Sequence, residues 1–159
     1  MKHCPCQSGL DYQCCCQPIH QDDTLAQQPE QLMRARYSAY ALGLSDFVIK
    51  TYHSSCNAQH DAEQIKVATS LHWIGLEILD APGVEGAEGI VEFSASYIED
   101  GRLHRLIERS RFVRETIEGE LRWRYIDGTH STTPKPIKLK SNDSCPCHSG
   151  AKFKRCCGR

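Results

Sequence analysis

Nine of the ten cysteines in this 159-residue chain fall in two copies of one pattern, one near each end. Residues 4–16 read Cys-Pro-Cys-Gln-Ser-Gly-Leu-Asp-Tyr-Gln-Cys-Cys-Cys, and residues 145–157 read Cys-Pro-Cys-His-Ser-Gly-Ala-Lys-Phe-Lys-Arg-Cys-Cys. Seven of the thirteen positions are identical; Tyr12 stands opposite Phe153, and Cys14 stands where the second copy has Arg155. Thiols at this spacing suit a metal ion. Zn²⁺ takes four tetrahedral ligands, and four thiolates make a closed structural site with no open coordination position. Proline stiffens each Cys-Pro-Cys turn by fixing its own φ and restricting its predecessor, and Ser-Gly supplies a tight reversal. The eight residues between Cys6 and Cys15, and between Cys147 and Cys156, leave room for a turn and a short helical piece. The expected ligands are Cys4, Cys6, Cys15 and Cys16 at one end, and Cys145, Cys147, Cys156 and Cys157 at the other. Zn²⁺, two ions per chain, is the expected cofactor. Cys14 leaves the first set open by one residue. A knuckle this short cannot bury its own core, so metal binding must supply its folding free energy, with Tyr12 or Phe153 as its sizeable apolar contact.

Other cysteine chemistries fit less well. Adjacent cysteines bridge one another poorly. The first residues, Met-Lys-His-Cys-Pro-Cys, have no apolar signal-peptide core, so the expected compartment is the cytoplasm, where thiols stay reduced. The spacings match no ferredoxin pattern. A redox role remains for Cys14 as a spare thiol, while the isolated Cys56 reads as a small buried residue. His3, His20 and His148 lie near the knuckles, but each site already has four sulfurs. No apolar run approaches the ~20 residues that cross a bilayer, so membrane insertion is not expected.

The formal net charge of −1 conceals an asymmetry. Residues 31–133 carry eleven bases and fifteen acids, whereas residues 134–159 carry seven bases and one acid. The seven are Lys135, Lys138, Lys140, Lys152, Lys154, Arg155 and Arg159. A basic tail can meet an acidic protein or nucleic acid, or can simply offset thiolate charge.

Both cysteine segments resemble the SEC-C motif, the short zinc-binding segment at the C-terminus of the bacterial translocation ATPase SecA. The motif's four ligands fall on Cys4, Cys6, Cys15 and Cys16 in one copy and on Cys145, Cys147, Cys156 and Cys157 in the other. The translocase version usually ends Cys-His, while both copies here end Cys-Cys, a departure that weakens any carry-over of the translocase's partners.

The elements that must position these sites lie between them. Residues 17–28 are polar and aperiodic and read as a linker. Pro29-Glu30 opens a helix whose Leu32, Met33, Arg36, Tyr37, Tyr40 and Leu44 recur at three- and four-residue steps, with Gly43 at its end. A short helix from Asp46 to about His53 comes next, and then a weaker one over 61–69. After Ser70 the period becomes two: strands are predicted over 71–79, 89–98, 103–117 and 121–126, with turns at Glu99-Asp100-Gly101 and Glu118-Gly119-Glu120. The alternation of the third strand slips near Ser110, which a β-bulge there would explain. Asp127-Gly128 is expected to end the fourth.

Helices and then an antiparallel meander make an α+β domain. Its length and order resemble the NTF2-like (cystatin-like) fold, a bent antiparallel sheet packed on N-terminal helices. The whole chain resembles the uncharacterised bacterial YchJ family, in which such a domain lies between two SEC-C motifs. The segments that carry this are Leu-Met-Arg-Ala-Arg-Tyr-Ser-Ala-Tyr (32–40), Ile-Lys-Thr-Tyr-His (49–53), Ile-Glu-Arg-Ser-Arg-Phe (107–112) and Tyr-Ile-Asp-Gly-Thr (125–129). The expected organisation is a zinc knuckle and linker over 1–28, the NTF2-like domain over 29–133, and a basic linker with the second knuckle over 134–159.

NTF2-like domains often enclose a pocket, and the fold hosts enzymes, carriers and interaction modules alike. Candidate pocket residues are Tyr37, Tyr40, His53, Trp73, Glu108 and Arg109, with Glu108 beside His53 as the acid–base pair to look for. The plainer reading makes the tyrosines core residues and Glu108, Arg109 and Arg111 a cross-strand charge ladder. Closed sulfur sites, no nucleotide-binding glycine loop and no His-x-x-x-His point away from an enzyme. The expected function is a zinc-binding, non-enzymatic module that contacts another protein through its knuckles. Association of the basic tail with nucleic acid or the ribosome, and small-ligand binding or catalysis in the pocket, are the alternatives.

Overall fold

The computed structural model describes residues 2–159. The stretch expected as a linker is structured. Helix α1 (Cys16–Gln21) begins on the last cysteine of the first copy and gives way to a single 3-10 turn (Asp23–Leu25), with Asp22 accepting from Thr24 N at 3.1 Å. Six residues are too few to show a period. The segment is held by what it touches: Ile19 and Asp23 are both buried.

Helix α2 (Pro29–Leu42) starts with proline in its first turn and a reciprocal Gln28–Gln31 capping box. It stops at Gly43, whose φ of 75° is the left-handed conformation that a Cβ resists. Its buried surface is too broad for one face, because two layers cover it. Met33, Arg36, Tyr37 and Tyr40 face a cavity against the sheet, while Ser38 lies against the sulfurs of the first knuckle. Helices α3 (Ser45–Lys50) and α4 (Ala62–Thr69) complete the helical layer and pack against each other.

Strands β1 (His72–Asp80), β2 (Glu88–Glu99), β3 (Arg102–Ile117) and β4 (Glu120–His130) form an antiparallel meander in sequence order. Two-residue turns at Asp100-Gly101 and Glu118-Gly119, with all four residues at positive φ, join the last three. A short β5 (Ile137–Lys138) pairs with the start of β3, on the stretch that β4 leaves free. The order of helices then meander is the α+β arrangement expected.

Two sheet expectations are corrected. β3 alternates without interruption, and its pairing with β2 runs unbroken from Glu88↔Val113 to Glu99↔Arg102. The irregularity lies on β4, where Arg111 pairs with Asp127 but Phe112 with Tyr125, leaving Ile126 as the extra residue. The apolar alternation of the sequence slips because the apolar residues are divided between the faces. Leu106 and Phe112 share the helix-facing positions with the polar Glu108 and Ser110, while Leu103, Ile107, Val113 and Ile117 occupy the odd positions. Nor does β4 stop at Asp127-Gly128. It continues to His130, opposite Glu108. Gly128 permits this: a Cβ there would collide with the Glu108 carboxylate.

One buried carboxylate ties the N-terminal segment to the sheet. Asp23, 2% exposed, pairs with Arg122, with Arg124 Nη2 at 3.2 Å and with Lys50 Nζ at 3.7 Å. Arg124 is itself buried, so removing its partner leaves a desolvated charge, typically a loss of about 3–5 kcal/mol. Asp23→Asn is therefore expected to lower the urea-unfolding free energy by about that amount. A change below about 1 kcal/mol would show that the carboxylate does not carry this connection.

Candidate functional site

The two cysteine segments fold alike, bond for bond. Cys4 N donates to Leu10 O and Gln7 N to Cys4 O, at 2.9 and 3.1 Å; Cys145 N donates to Ala151 O and His148 N to Cys145 O, also at 2.9 and 3.1 Å. Gln7 and Gly9, at φ 58° and 87°, match His148 and Gly150, at 62° and 80°. A 3-10 turn in each (Tyr12–Cys14 and Phe153–Arg155) brings back the closing pair of cysteines. Ser8 and Ser149 do more than make the reversal. Each hydroxyl lies within hydrogen-bond distance of a closing sulfur, Cys15 Sγ at 3.2 Å and Cys156 Sγ at 3.3 Å. Their identity in both copies was the signal for this role.

Each set of four sulfurs, Cys4, Cys6, Cys15 and Cys16, and Cys145, Cys147, Cys156 and Cys157, lies within 4.8 Å of one another. Thiolates at about 2.3 Å from a tetrahedral ion stand about 3.8 Å apart. The separations of 3.6 and 3.9 Å in the first set, and 3.4, 3.5 and 3.9 Å in the second, match that figure. The donors fit: either cluster can hold a metal ion. Cys14 is exposed and takes no part.

The thiols of each set ionise unequally. Hydrogen bonds from Cys16 and Cys4 hold Cys6 far below the ordinary thiol range, while hydrogen bonds with Cys4 and Cys6, together with burial, push Cys16 far above it. Burial pushes Cys15 up to about 11. In the second set burial opposes ionisation of Cys147, but hydrogen bonds from Ser149, Cys145 and Cys156 bring it down to about 6, while burial pushes Cys157 up. One thiolate forms readily because its neighbours donate to it; the others then resist. A cation lets all four ionise, and its binding displaces their protons.

The surroundings of the two centres differ. Cys4, Cys6 and Cys16 are buried within the main core. Ser38 Oγ on α2 approaches Cys4 Sγ at 3.6 Å and donates to Cys16 Sγ at 3.3 Å, and Arg34 Nη1 donates to Cys6 O at 2.9 Å. His20 bridges the knuckle to the helix, with Nδ1 2.8 Å from Tyr12 Oη and Nε2 2.7 Å from Ala35 O. Burial holds this imidazole below the usual histidine range, so the neutral ring accepts from the tyrosine and donates to the carbonyl. The first knuckle thus shares a core with α2, contrary to the expectation of a knuckle without one. The second knuckle is peripheral: Cys145 and Phe153 join Ile98, with Ile74 and Leu103, in a separate small cluster. Gln7 and His148, equivalent positions of the two copies, both line one groove of about 350 Å³ that also includes Ser94, Ser96 and Arg105.

A cavity of about 290 Å³ lies between α2 and the sheet. Of the sequence-derived candidates, Tyr37, Tyr40, Trp73 and Glu108 line it. His53 and Arg109 do not. His53 Nδ1 accepts from Ser55 N and Nε2 faces Glu115 at 3.7 Å, so the expected pairing with Glu108 is absent. Arg109 alternates to the other face of β3, where it meets Asp80 and Glu92 at 3.0 and 2.9 Å. Arg111 likewise pairs outward with Asp127, so the charge ladder exists without Glu108. The histidine beside Glu108 is His130, Nε2 to Oε2 3.7 Å, on the stretch of β4 past its expected end. The cavity also contains Arg36, which helical periodicity places only within an amphipathic face.

An antiparallel sheet on helices, with a cysteine cage at each end, defines a SEC-C-bearing α+β domain, and comparison with known proteins specifies it. Residues 28–128 match the family described as YchJ, middle NTF2-like domain, and residues 142–159 match the SEC-C motif. The chain is 44% identical over 167 aligned residues to a UPF0225 protein of Vibrio parahaemolyticus, covering 98% of each. A crystal structure of a SEC-C motif containing protein from Psychrobacter arcticus is 34% identical, with a TM-score of 0.65 over 98% of this chain and 94% of that one. The solution structure of a SEC-C motif containing protein from Rhodopseudomonas palustris is 30% identical, with a TM-score of 0.66 over 81% of this chain and 98% of that one. The chain belongs to the YchJ (UPF0225) family. Among the described residues no helix is long and apolar enough to cross a membrane.

Different burial of the two centres makes a testable difference. Cys6→Ser and Cys147→Ser should each cost one equivalent of metal. Only Cys6→Ser should lower the main unfolding transition substantially, by about 3 kcal/mol, because its sulfur lies in the main core. Cys147→Ser should leave that transition within about 1 kcal/mol and loosen the C-terminal segment alone. Urea unfolding with metal analysis checks both, and equal losses would contradict the assignment.

Proposed function

We propose that this protein binds two zinc ions and acts in the cytoplasm as a non-enzymatic docking module, presenting its C-terminal knuckle to an acidic surface of another protein. Four clustered thiolates are soft donors that favour zinc among the abundant divalent ions, and a closed set leaves no position for substrate. The ion at the first centre serves the core. The second centre is the outward one, and its surroundings carry the reading. All seven lysines and arginines of residues 134–159 are exposed, and among the described residues none pairs with a carboxylate. Four thiolates and one Zn²⁺ together carry a charge of about −2, which cannot neutralise seven cations and one acid. The surplus is available to an acidic partner, with Pro146 and His148 beside the adjoining groove.

Two measurements test this. Protein purified without added zinc should contain two zinc ions per chain, with eight thiols that react only after chelation. The full chain and its Lys152→Glu/Lys154→Glu/Arg155→Glu form should then be compared for capture from cytoplasmic extract, with and without nuclease. A protein partner held by the parent chain, lost in the charge-reversed form and retained after nuclease, is the expected result. Loss on nuclease treatment would assign the tail to nucleic acid, and capture indifferent to charge reversal would overturn the docking role.

A further inference from the structure

The cavity between α2 and the sheet contains a charge that the protein leaves unpaired. Arg36 is 3% exposed, and no carboxylate comes within ion-pairing distance of it among the described residues. Its hydrogen bonds to protein come from Nη1 alone, to Val48 O at 2.9 Å and Thr51 Oγ1 at 2.6 Å. The guanidinium is gripped between two aromatic faces, 4.5 Å from the Tyr52 ring centroid and 4.8 Å from that of Tyr125. This fixes its plane but supplies no anion. Nε and Nη2 donate to no protein group among the described residues, and Arg36 is part of the cavity lining. A buried guanidinium is costly unless an anion meets it, and its planar fork suits a carboxylate.

A second buried charge lies near. Glu108, 7% exposed, accepts at Oε1 from Ser110 Oγ at 2.9 Å and from Tyr125 Oη at 2.6 Å. Among the described residues its Oε2 accepts no hydrogen bond, and His130 Nε2 stands 3.7 Å away, beyond hydrogen-bonding distance. Arg36 stacks on the Tyr125 ring and Glu108 holds the Tyr125 hydroxyl, so one tyrosine side chain spans the two charges. Both charges thus adjoin the same ring, and a small ligand in the cavity can meet both. Tyr37, Tyr40, Trp73 and Phe93 supply flat and apolar walls, and His130, the exposed residue of the lining, marks the mouth. About 290 Å³ lies at the small end of ligand pockets.

We infer that this cavity is a binding site for a small aromatic carboxylate bearing a hydrogen-bond donor at its far end, with the carboxylate on Arg36 and the donor on Glu108 Oε2. The inference does not rest on the proposed docking role. It uses Glu108 as an acceptor and requires no reaction.

The test titrates the full, metal-loaded chain by calorimetry with 4-hydroxybenzoate, benzoate and p-cresol. The first has both groups, the second lacks the donor, and the third lacks the anion. One 4-hydroxybenzoate per chain is expected with a submillimolar Kd; benzoate should bind about ten-fold more weakly and p-cresol weaker still by at least that factor. The indole resonance of Trp73, whose Nε1 donates to Ala68 O at 2.8 Å, should move during the titration and so locate the ligand. Ala95→Leu, which fills the cavity, should abolish binding of all three, and Arg36→Lys should weaken 4-hydroxybenzoate about ten-fold. Absence of 4-hydroxybenzoate binding up to about 10 mM, equal affinity for p-cresol, or an unmoved Trp73 signal overturns the inference. These three readings use the unmodified chain and decide the matter even if both variants fail to fold.

Discussion

Crowding four thiols into one cage is favourable only when a cation takes up their charge, and this chain builds its first cage against its principal helix. The sulfurs of Cys4 and Cys16 meet Ser38, and His20 joins the knuckle to Ala35 through two hydrogen bonds. Small residues make the contact close: Ala35, Ser38 and Ala39 are all fully buried. The opposite side of the same helix supplies Met33, Arg36, Tyr37 and Tyr40 to the cavity. One helix is therefore both the backing of a cysteine cage that can hold a metal ion and the wall of a pocket. Asp23 adds a second attachment, an ion pair from just beyond the cage to β4.

Near-identical knuckles occupy different physical situations because they pack against different parts of the domain. The first runs directly into α1, whose Ile19 and His20 enter the core. The second rests on the sheet through a few side chains around Phe153. Equal cages thus need not have equal tasks. An ion lost from the first cage would remove charge compensation from inside the domain, whereas one lost from the second would free a basic segment at its surface.

The sheet divides its polar groups by strand parity. Along β3 the odd positions 105, 109 and 111 point their arginines outward to Glu77, to Asp80 and Glu92, and to Asp127. The even positions carry Glu108, Ser110 and Phe112 inward. Exposed pairs of the first kind are worth little individually. The inward polar groups are the unusual ones, since a buried carboxylate and a buried guanidinium carry a desolvation cost that apolar residues would avoid. Gly128, with no side chain, makes room for one of them.

Local signals in the chain determined the two cages, the long helix with its proline and glycine ends, the four strands and the two tight turns, because each depends on spacing or backbone preference within a dozen residues. The eight cysteines that converge are those the repeat singled out, and Tyr37, Tyr40, Trp73 and Glu108 were legible as pocket candidates from the faces they occupy. Only the tertiary structure decided the rest. It placed the extra residue on β4 rather than β3, carried β4 on to His130, turned Arg109 outward and His53 away, and made α1 out of a polar stretch with one apolar anchor. It also joined the first knuckle to the core and, among the described residues, left Arg36 without a carboxylate. Each of these outcomes depends on partners far apart in sequence, and neither periodicity nor motif spacing contains that information.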